Sequence, residues 1–124
     1  MTKKELMQVY YLNKEIINET EELVELKIKA RRRAGETRNP KLESLIALRE
    51  KEIVEKVRRC TALRDKINEF INSIDDSLTR QIIYYRYAKC MTWRQVAYMT
   101  GGYNTEEGVR KISERYLKKV TSVD

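Results

Sequence analysis

Histidine is absent from the 124 residues; proline, tryptophan and phenylalanine occur once each, cysteine twice and glycine four times. Without an imidazole, Ser-His-Asp triads, Cys-His pairs and His-bearing zinc sites are excluded. Four glycines and one proline are too few to punctuate the many short elements of a barrel, a sandwich or a nucleotide-binding sheet. No G-x-x-x-x-G-K phosphate cradle is present. Asp75 and Asp76 are adjacent, and adjacent side chains do not share a helix face, so they make a poor joint metal or acid–base site. The sequence therefore predicts neither an enzyme nor a bound cofactor or metal. Cys60 and Cys90 form no C-x-x-C pattern and read as reduced thiols, behaving as small half-buried hydrophobes. No apolar run approaches the ~18 residues of a membrane span. The opening Met1-Thr2-Lys3-Lys4-Glu5 leads into charged helix rather than an apolar signal segment, so a cytoplasmic protein with no membrane partner is expected.

What the sequence has in abundance is charge. Asp, Glu, Lys and Arg make up 36% of it, against about 25% in an average domain, and the balance is +7. Residues 41–76 carry eight basic and eight acidic side chains, whereas residues 77–124 carry nine basic and four acidic. Five of the eight tyrosines fall between Tyr84 and Tyr103 in that basic third. Positive charge concentrated in one segment points to a polyanionic partner, with nucleic acid first.

From Lys3 to about Arg32 nothing interrupts a helix, and Leu6, Val9, Leu12, Ile16, Leu23, Leu26 and Ala30 recur on one face, with Glu19 breaking the seam. The basic end Arg31-Arg32-Arg33 suits a helix C-terminus, where cations meet the negative end of the macrodipole; nucleic-acid binding is its alternative role. Gly35 to Pro40 is punctuation, with Asn39 as cap and Pro40 at the first helical position. A second helix is predicted from there to about Asn72, with the stripe Leu42, Leu45, Ile46, Ile53, Val57, Cys60, Leu63, Ile67, Phe70 and Ile74, broken by Arg49 and Lys56. Two such helices make an antiparallel hairpin of coiled-coil type. Two helices alone seldom make a sufficient core, so residues 1–74 are expected to dimerise through the hairpin or to pack on the C-terminal part, as an oligomerisation or partner-docking arm, with a homodimer the expected assembly.

In residues 75–124, Asp75 and Asp76 are caps for a helix from about Ser77 to Lys89 with Leu78, Ile82 and Tyr85 inward. Thr92-Trp93-Arg94-Gln95 is a capping box, opening a helix that turns Trp93, Val96 and Ala97 to the core and ends at Gly101-Gly102. Asn104 or Thr105 caps the last helix, and Asn104 with Glu107 spells a second box. Its predicted buried stripe is Val109, Ile112, Tyr116, Leu117 and Val120, which leaves Arg110, Lys111, Ser113, Glu114, Arg115, Lys118 and Lys119 on the outer surface. Trp93, Tyr85 and Tyr116 read as core; Tyr84, Tyr87, Tyr98 and Tyr103 are open to either a core or a contact role. Short helix, glycine turn and longer basic helix together read as a helix-turn-helix.

The stretch Asp75 to Val120, above all Arg80-Gln81-Ile82-x-x-x-Arg86-Tyr87, Thr92-Trp93-Arg94-Gln95-Val96-Ala97 and Val109-Arg110-Lys111-Ile112, resembles region four of bacterial sigma factors. It is closer still to small phage-encoded regulators that carry a region-four-like domain behind a coiled-coil segment. The resemblance implies an all-α protein acting in the cytoplasm of a bacterial host cell, with a long antiparallel hairpin followed by a three-helix helix-turn-helix domain. It implies that helix 105–119 enters the major groove of double-stranded promoter DNA, with host RNA polymerase as a further contact. Carried over by position, Thr105, Glu107, Arg110, Lys111, Ser113 and Glu114 are the base-reading candidates, and Thr92, Arg94, Arg115, Lys118 and Lys119 the phosphate-binding ones. Three features depart from the family pattern: the turn 101–104 is longer, Gly108 sits inside the recognition helix, and Glu106 replaces a basic residue. Glu106 and Glu107 have a second reading as carboxylates that stabilise the helix N-terminus. Two rival functions stand beside DNA-dependent regulation. One is a sigma-like mimic that binds polymerase or a sigma factor without reading DNA; the other is a packaging protein of small-terminase type.

Overall fold

The computed structural model describes residues 1–32 and 39–121 and is all-helical, with no strand among those residues. The order is α1 (Lys3–Arg32), α2 (Pro40–Asn72), α3 (Ser77–Ile83) running into a π-helical turn (Tyr84–Ala88), α4 (Trp93–Thr100) and α5 (Glu106–Thr121). Gly35 and Arg33, which carried the expected break and the end of the arginine run, lie outside the described residues. None of the described helices is long and apolar enough to cross a membrane.

Both long helices start on side-chain caps. Thr2 Oγ1 accepts from the Glu5 N–H at 3.2 Å, and Asn39 Oδ1 accepts from the Leu42 N–H at 3.3 Å, with Pro40 at the first helical position as expected. The chain divides into two compact units, one of Leu12–Thr61 and one of Met1–Tyr11 with Ala62–Asp124. The packing boundary thus differs from the expected division at residue 74. Leu6 and Val9 near the start of α1 and Ile67, Ile71 and Ile74 around the end of α2 are all buried within the second of these units.

In the Leu12–Thr61 unit the helices run antiparallel. Lys27 pairs with Glu50 at 3.3 Å, while Lys56 reaches back to Glu15 at 3.1 Å and to Glu19. The least exposed positions alternate by four and three residues: Leu12, Ile16, Glu19, Leu23, Leu26 and Ala30 on α1, and Leu42, Ile46, Arg49, Ile53, Lys56 and Cys60 on α2. That spacing is the 3.5-residue repeat of a coiled-coil seam. Leu45 and Val57, which the apolar count placed in the stripe, are exposed instead, and Arg49 and Lys56 occupy seam positions. Two of the charged residues that break the seams answer each other: Lys56 bridges Glu19 and neighbouring Glu15, and this pairing raises the Lys56 ammonium above its ordinary pKa, the Glu19 hydrogen bond contributing most. Arg49 pairs with Glu52 on its own helix at 3.4 Å.

The other unit is built on Ile82, Val96 and Val109, one from each of α3, α4 and α5, with Leu78, Tyr85, Met91, Trp93, Ala97 and Ile112 packed around them. Asp76, not Asp75, caps α3; its carboxylate accepts from the Thr79 N–H at 3.0 Å and from the Thr79 hydroxyl at 2.7 Å. The helix expected to reach Lys89 does so through a wider last turn. The Lys89 N–H donates to the Tyr84 carbonyl, five residues back, at 3.1 Å, and the Met91 N–H donates to Tyr85. Ile82 and Ile83 before this turn, and Tyr87 and Ala88 within it, are all buried.

Candidate nucleic-acid interface

The local sequence explains how α4 and α5 are held. The Thr92 hydroxyl accepts from the Gln95 N–H at 3.2 Å while the Thr92 N–H donates to Gln95 Oε1 at 2.9 Å, the reciprocal box that the spacing predicted, worth about 1 kcal/mol to a helix. Gly101 has φ +64° and ψ −157°, a region essentially closed to residues with a Cβ. Gly102 and Tyr103 follow with φ of +56° and +67°. Three successive positive φ values reverse the chain between the helices.

Thr105 then caps α5, its hydroxyl accepting from the Gly108 N–H at 3.0 Å. The Asn104 side chain donates to the Gly101 carbonyl at 2.7 Å, so it closes the turn, and the expected Asn104–Glu107 box does not form. Gly108, a departure from the sigma pattern, has a local cause. A Cβ there would lie 2.9 Å from the Thr105 hydroxyl oxygen, the atom that caps its own N–H.

α5 turns Val109, Ser113 and Leu117 inward. Ser113 is therefore corrected: it was expected on the outer surface as a base-reading candidate, and it is fully buried beside the Tyr87 phenol. Positions 109, 113 and 117 share one helix face at a spacing of four, so a residue midway between two core positions is core regardless of its polarity. Burial pushes the Tyr87 phenol above its usual pKa, the Ser113 hydroxyl acting the other way. Val120, expected in the stripe, is exposed.

The remaining candidates are exposed: Thr105, Glu107, Arg110, Lys111, Glu114, Arg115, Lys118 and Lys119 on and before α5, and Thr92 and Arg94 on and before α4. The structure brings Lys111 to Glu107 at 3.1 Å, and Arg110 and Lys3 to Glu114 at 3.8 and 4.0 Å. By helical rotation Glu107, Lys111, Glu114 and Lys118 form the ridge opposite the buried face. Arg115 and Lys119 sit on a different side, lining a shallow cleft with Asp76 and Ile112 at the start of α3. Arg94 lines another with Met91, Tyr98 and Met99.

Two arginines from the sigma-like pattern are absorbed by the fold. Arg80 donates to the Ile74 carbonyl and Arg86 to the Met91 carbonyl, each at 2.8 Å. The Arg86 guanidinium lies 4.6 Å from the centre of the Trp93 ring and 5.3 Å from that of Tyr10. Among the tyrosines left open, Tyr87 is core and Tyr84 lies under the Lys89 ammonium. Tyr98 and Tyr103 stand out in solvent, at 86% and 104% exposure. Tyrosine spacing could not separate these fates, because the wide π-helical turn and the positive-φ turn reset the rotation on either side. No family model, curated protein or solved structure matches this chain.

Proposed function

We propose that the chain is a sequence-specific, double-stranded DNA-binding transcriptional regulator of phage or prophage type, with α3, α4 and α5 acting as a helix-turn-helix of sigma region-four kind. The observation that carries this reading is the division of α5. The helix buries Val109, Ser113 and Leu117 and leaves Arg110, Lys111, Arg115, Lys118 and Lys119 accessible, directly after a tight turn from a shorter, boxed helix. In this reading Arg110 and Lys111 release their carboxylate partners and donate to guanine O6 and N7, and Glu107 accepts from cytosine N4. The exchange is cheap, since exposed i,i+4 ion pairs are worth only ~0–1 kcal/mol. Arg94, Arg115, Lys118 and Lys119 supply phosphate contacts and counterion release.

The test is a sequence selected from a random DNA pool, with affinity followed by fluorescence anisotropy on that sequence and on scrambled duplex. Arg110→Ala is expected to cost on the order of 1–3 kcal/mol on the selected sequence and to leave scrambled duplex nearly unchanged. A second reading, docking on host RNA polymerase or a sigma factor without DNA contact, draws on the pairing of Arg110 and Lys111 with glutamates and on the exposed Tyr98, Met99 and Tyr103. Capture of polymerase by a chain that binds no duplex at low salt would decide for it.

A further inference from the structure

Between the end of α2 and the π-helical turn lies a cleft of about 260 Å³, lined by Arg64, Asn68, Tyr84, Ala88 and Lys89. All five belong to one compact unit. Ala88 is buried and contributes only a methyl group, while each of the other four side chains carries a hydrogen-bond donor. Arg64 and Asn68 are one turn apart on the same face of α2. The π-helical turn sets the facing wall. Five residues along an ordinary α-helix amount to about 140° of rotation, which would turn Lys89 away from Tyr84. Here the Lys89 N–H closes the wide turn on the Tyr84 carbonyl at 3.1 Å, and the Lys89 ammonium stands 5.7 Å from the centre of the Tyr84 ring. None of the lining residues is acidic. Asp65 and Glu69, next to them in the chain, are exposed and rotated about 100° round α2 from Arg64 and Asn68. Arg110 and Lys111 pair with glutamates, whereas Lys89 forms no ion pair among the described residues. Neither the Asn68 amide nor the Tyr84 hydroxyl has a hydrogen-bond partner among them.

We infer that this cleft is a binding site for a phosphate group, held between the Arg64 guanidinium and the Lys89 ammonium, with Asn68 and Tyr84 donating to its remaining oxygens. Three features select that chemistry. Two cations and no carboxylate on a concave wall concentrate an anion there, and a dianion most. A planar guanidinium fork beside an ammonium matches phosphate oxygens, and such charge-assisted bonds are about twice as strong as neutral ones. The third feature is size. Sites that enclose a whole drug-sized molecule run to roughly 300–1,000 Å³, so this smaller cleft takes the phosphate group and leaves whatever carries it outside. Inorganic phosphate and the phosphate of a nucleic-acid backbone offer the same chemistry, and the test below separates them. The site uses no residue of α4 or α5 and does not rest on the DNA-binding reading.

The Asn68 side-chain amide and the Lys89 backbone amide report on the cleft in proton–nitrogen NMR spectra of the full chain. One arm titrates inorganic phosphate, against chloride and acetate at equal ionic strength. The other adds a short duplex of scrambled sequence at low salt. The two signals are expected to move to saturation with a phosphate-bearing probe and not with acetate. Movement with inorganic phosphate alone assigns free phosphate as the ligand; movement with duplex assigns the backbone. Lys89→Gln, at an exposed position, is expected to raise the dissociation constant for that probe by about tenfold or more, with helicity by circular dichroism unchanged. Tyr84→Phe keeps the ring under the ammonium, removes the hydroxyl and is expected to have a smaller effect in the same direction. Lys51→Gln, which removes an exposed cation from the other unit, is expected to change nothing. Signals that move with neither probe, or with acetate equally, overturn the inference. So does a titration that Lys89→Gln leaves intact or that Lys51→Gln weakens as much.

Discussion

At the scale of single residues, the same side-chain type does opposite things depending on which backbone group stands near it. Arg80 and Arg86 count toward the basic third of the chain, yet each spends its guanidinium on a carbonyl at the end of a helix or turn, Ile74 and Met91 respectively. Arg110, on an exposed turn of α5, pairs with the neighbouring Glu114 carboxylate instead. Asp76 is a third case. Its carboxyl is held below its usual pKa, first by the Thr79 hydroxyl, then by the Thr79 N–H, with the Arg80 charge adding to both. A lowered carboxylate stabilises the fold above the unfolded-state value near 4 and loses that contribution as pH falls through the folded-state value. Asp76→Ala is therefore expected to lower the thermal midpoint at pH 7, and the gap to wild type to close on acidification below pH 4. Thermal melts across that range check it; a gap independent of pH would mean that the cap acts without its charge.

At the scale of elements, the hairpin shows how charge can sit inside a helical seam. Glu19 and Lys56 occupy seam positions and satisfy each other, while the second Glu19 oxygen is buried without a hydrogen-bond partner. Removing Lys56 strands Glu19, and removing Glu19 leaves Lys56 only the more exposed Glu15, whereas replacing both seam residues with apolar ones removes the desolvation cost as well as the attraction. Lys56→Leu and Glu19→Leu are each expected to lower the denaturation midpoint, and the double replacement to bring it back to the wild-type value or above. A double-mutant cycle by urea denaturation, with zero coupling as the adverse result, tests this. The polar pair also specifies register, since sliding either helix by one heptad separates Lys56 from both glutamates.

At the scale of the whole molecule, the net charge of +7 matters only through where the cations can be reached. With Arg80 and Arg86 withdrawn, the accessible positive side chains of the α3–α5 region are concentrated on α5, with Arg94 on α4 and Lys89 just after the π-helical turn. If α5 lies in a groove, Lys118 on its outer ridge meets a phosphate, and Lys118→Ala should weaken binding alike on every sequence. The slope of log affinity against log salt concentration should then fall by about one. Titration at several salt concentrations measures it, and an unchanged slope would remove Lys118 from the phosphate contacts.

Much of this protein was legible before any coordinates. The scarcity of turn formers and the three-and-four spacing of apolar residues determined an all-helical chain with two long helices and three short ones. Local capping chemistry determined where they begin, at Asn39, Asp76 and Thr92, because a cap depends on residues within one turn of itself. The same local reach explains what was misjudged. Whether Ser113 faced water, whether Leu45 or Lys56 held the seam, and which tyrosines were core all depended on helix rotation. That rotation is decided by what packs against the helix and by backbone irregularities, the π-helical turn at 84–88 and the three positive φ values at 101–103, which no periodic pattern encodes. Tertiary structure alone paired Glu19 with Lys56 and set Arg64 and Asn68 across a cleft from Tyr84 and Lys89, since both follow from how two distant stretches of chain face each other.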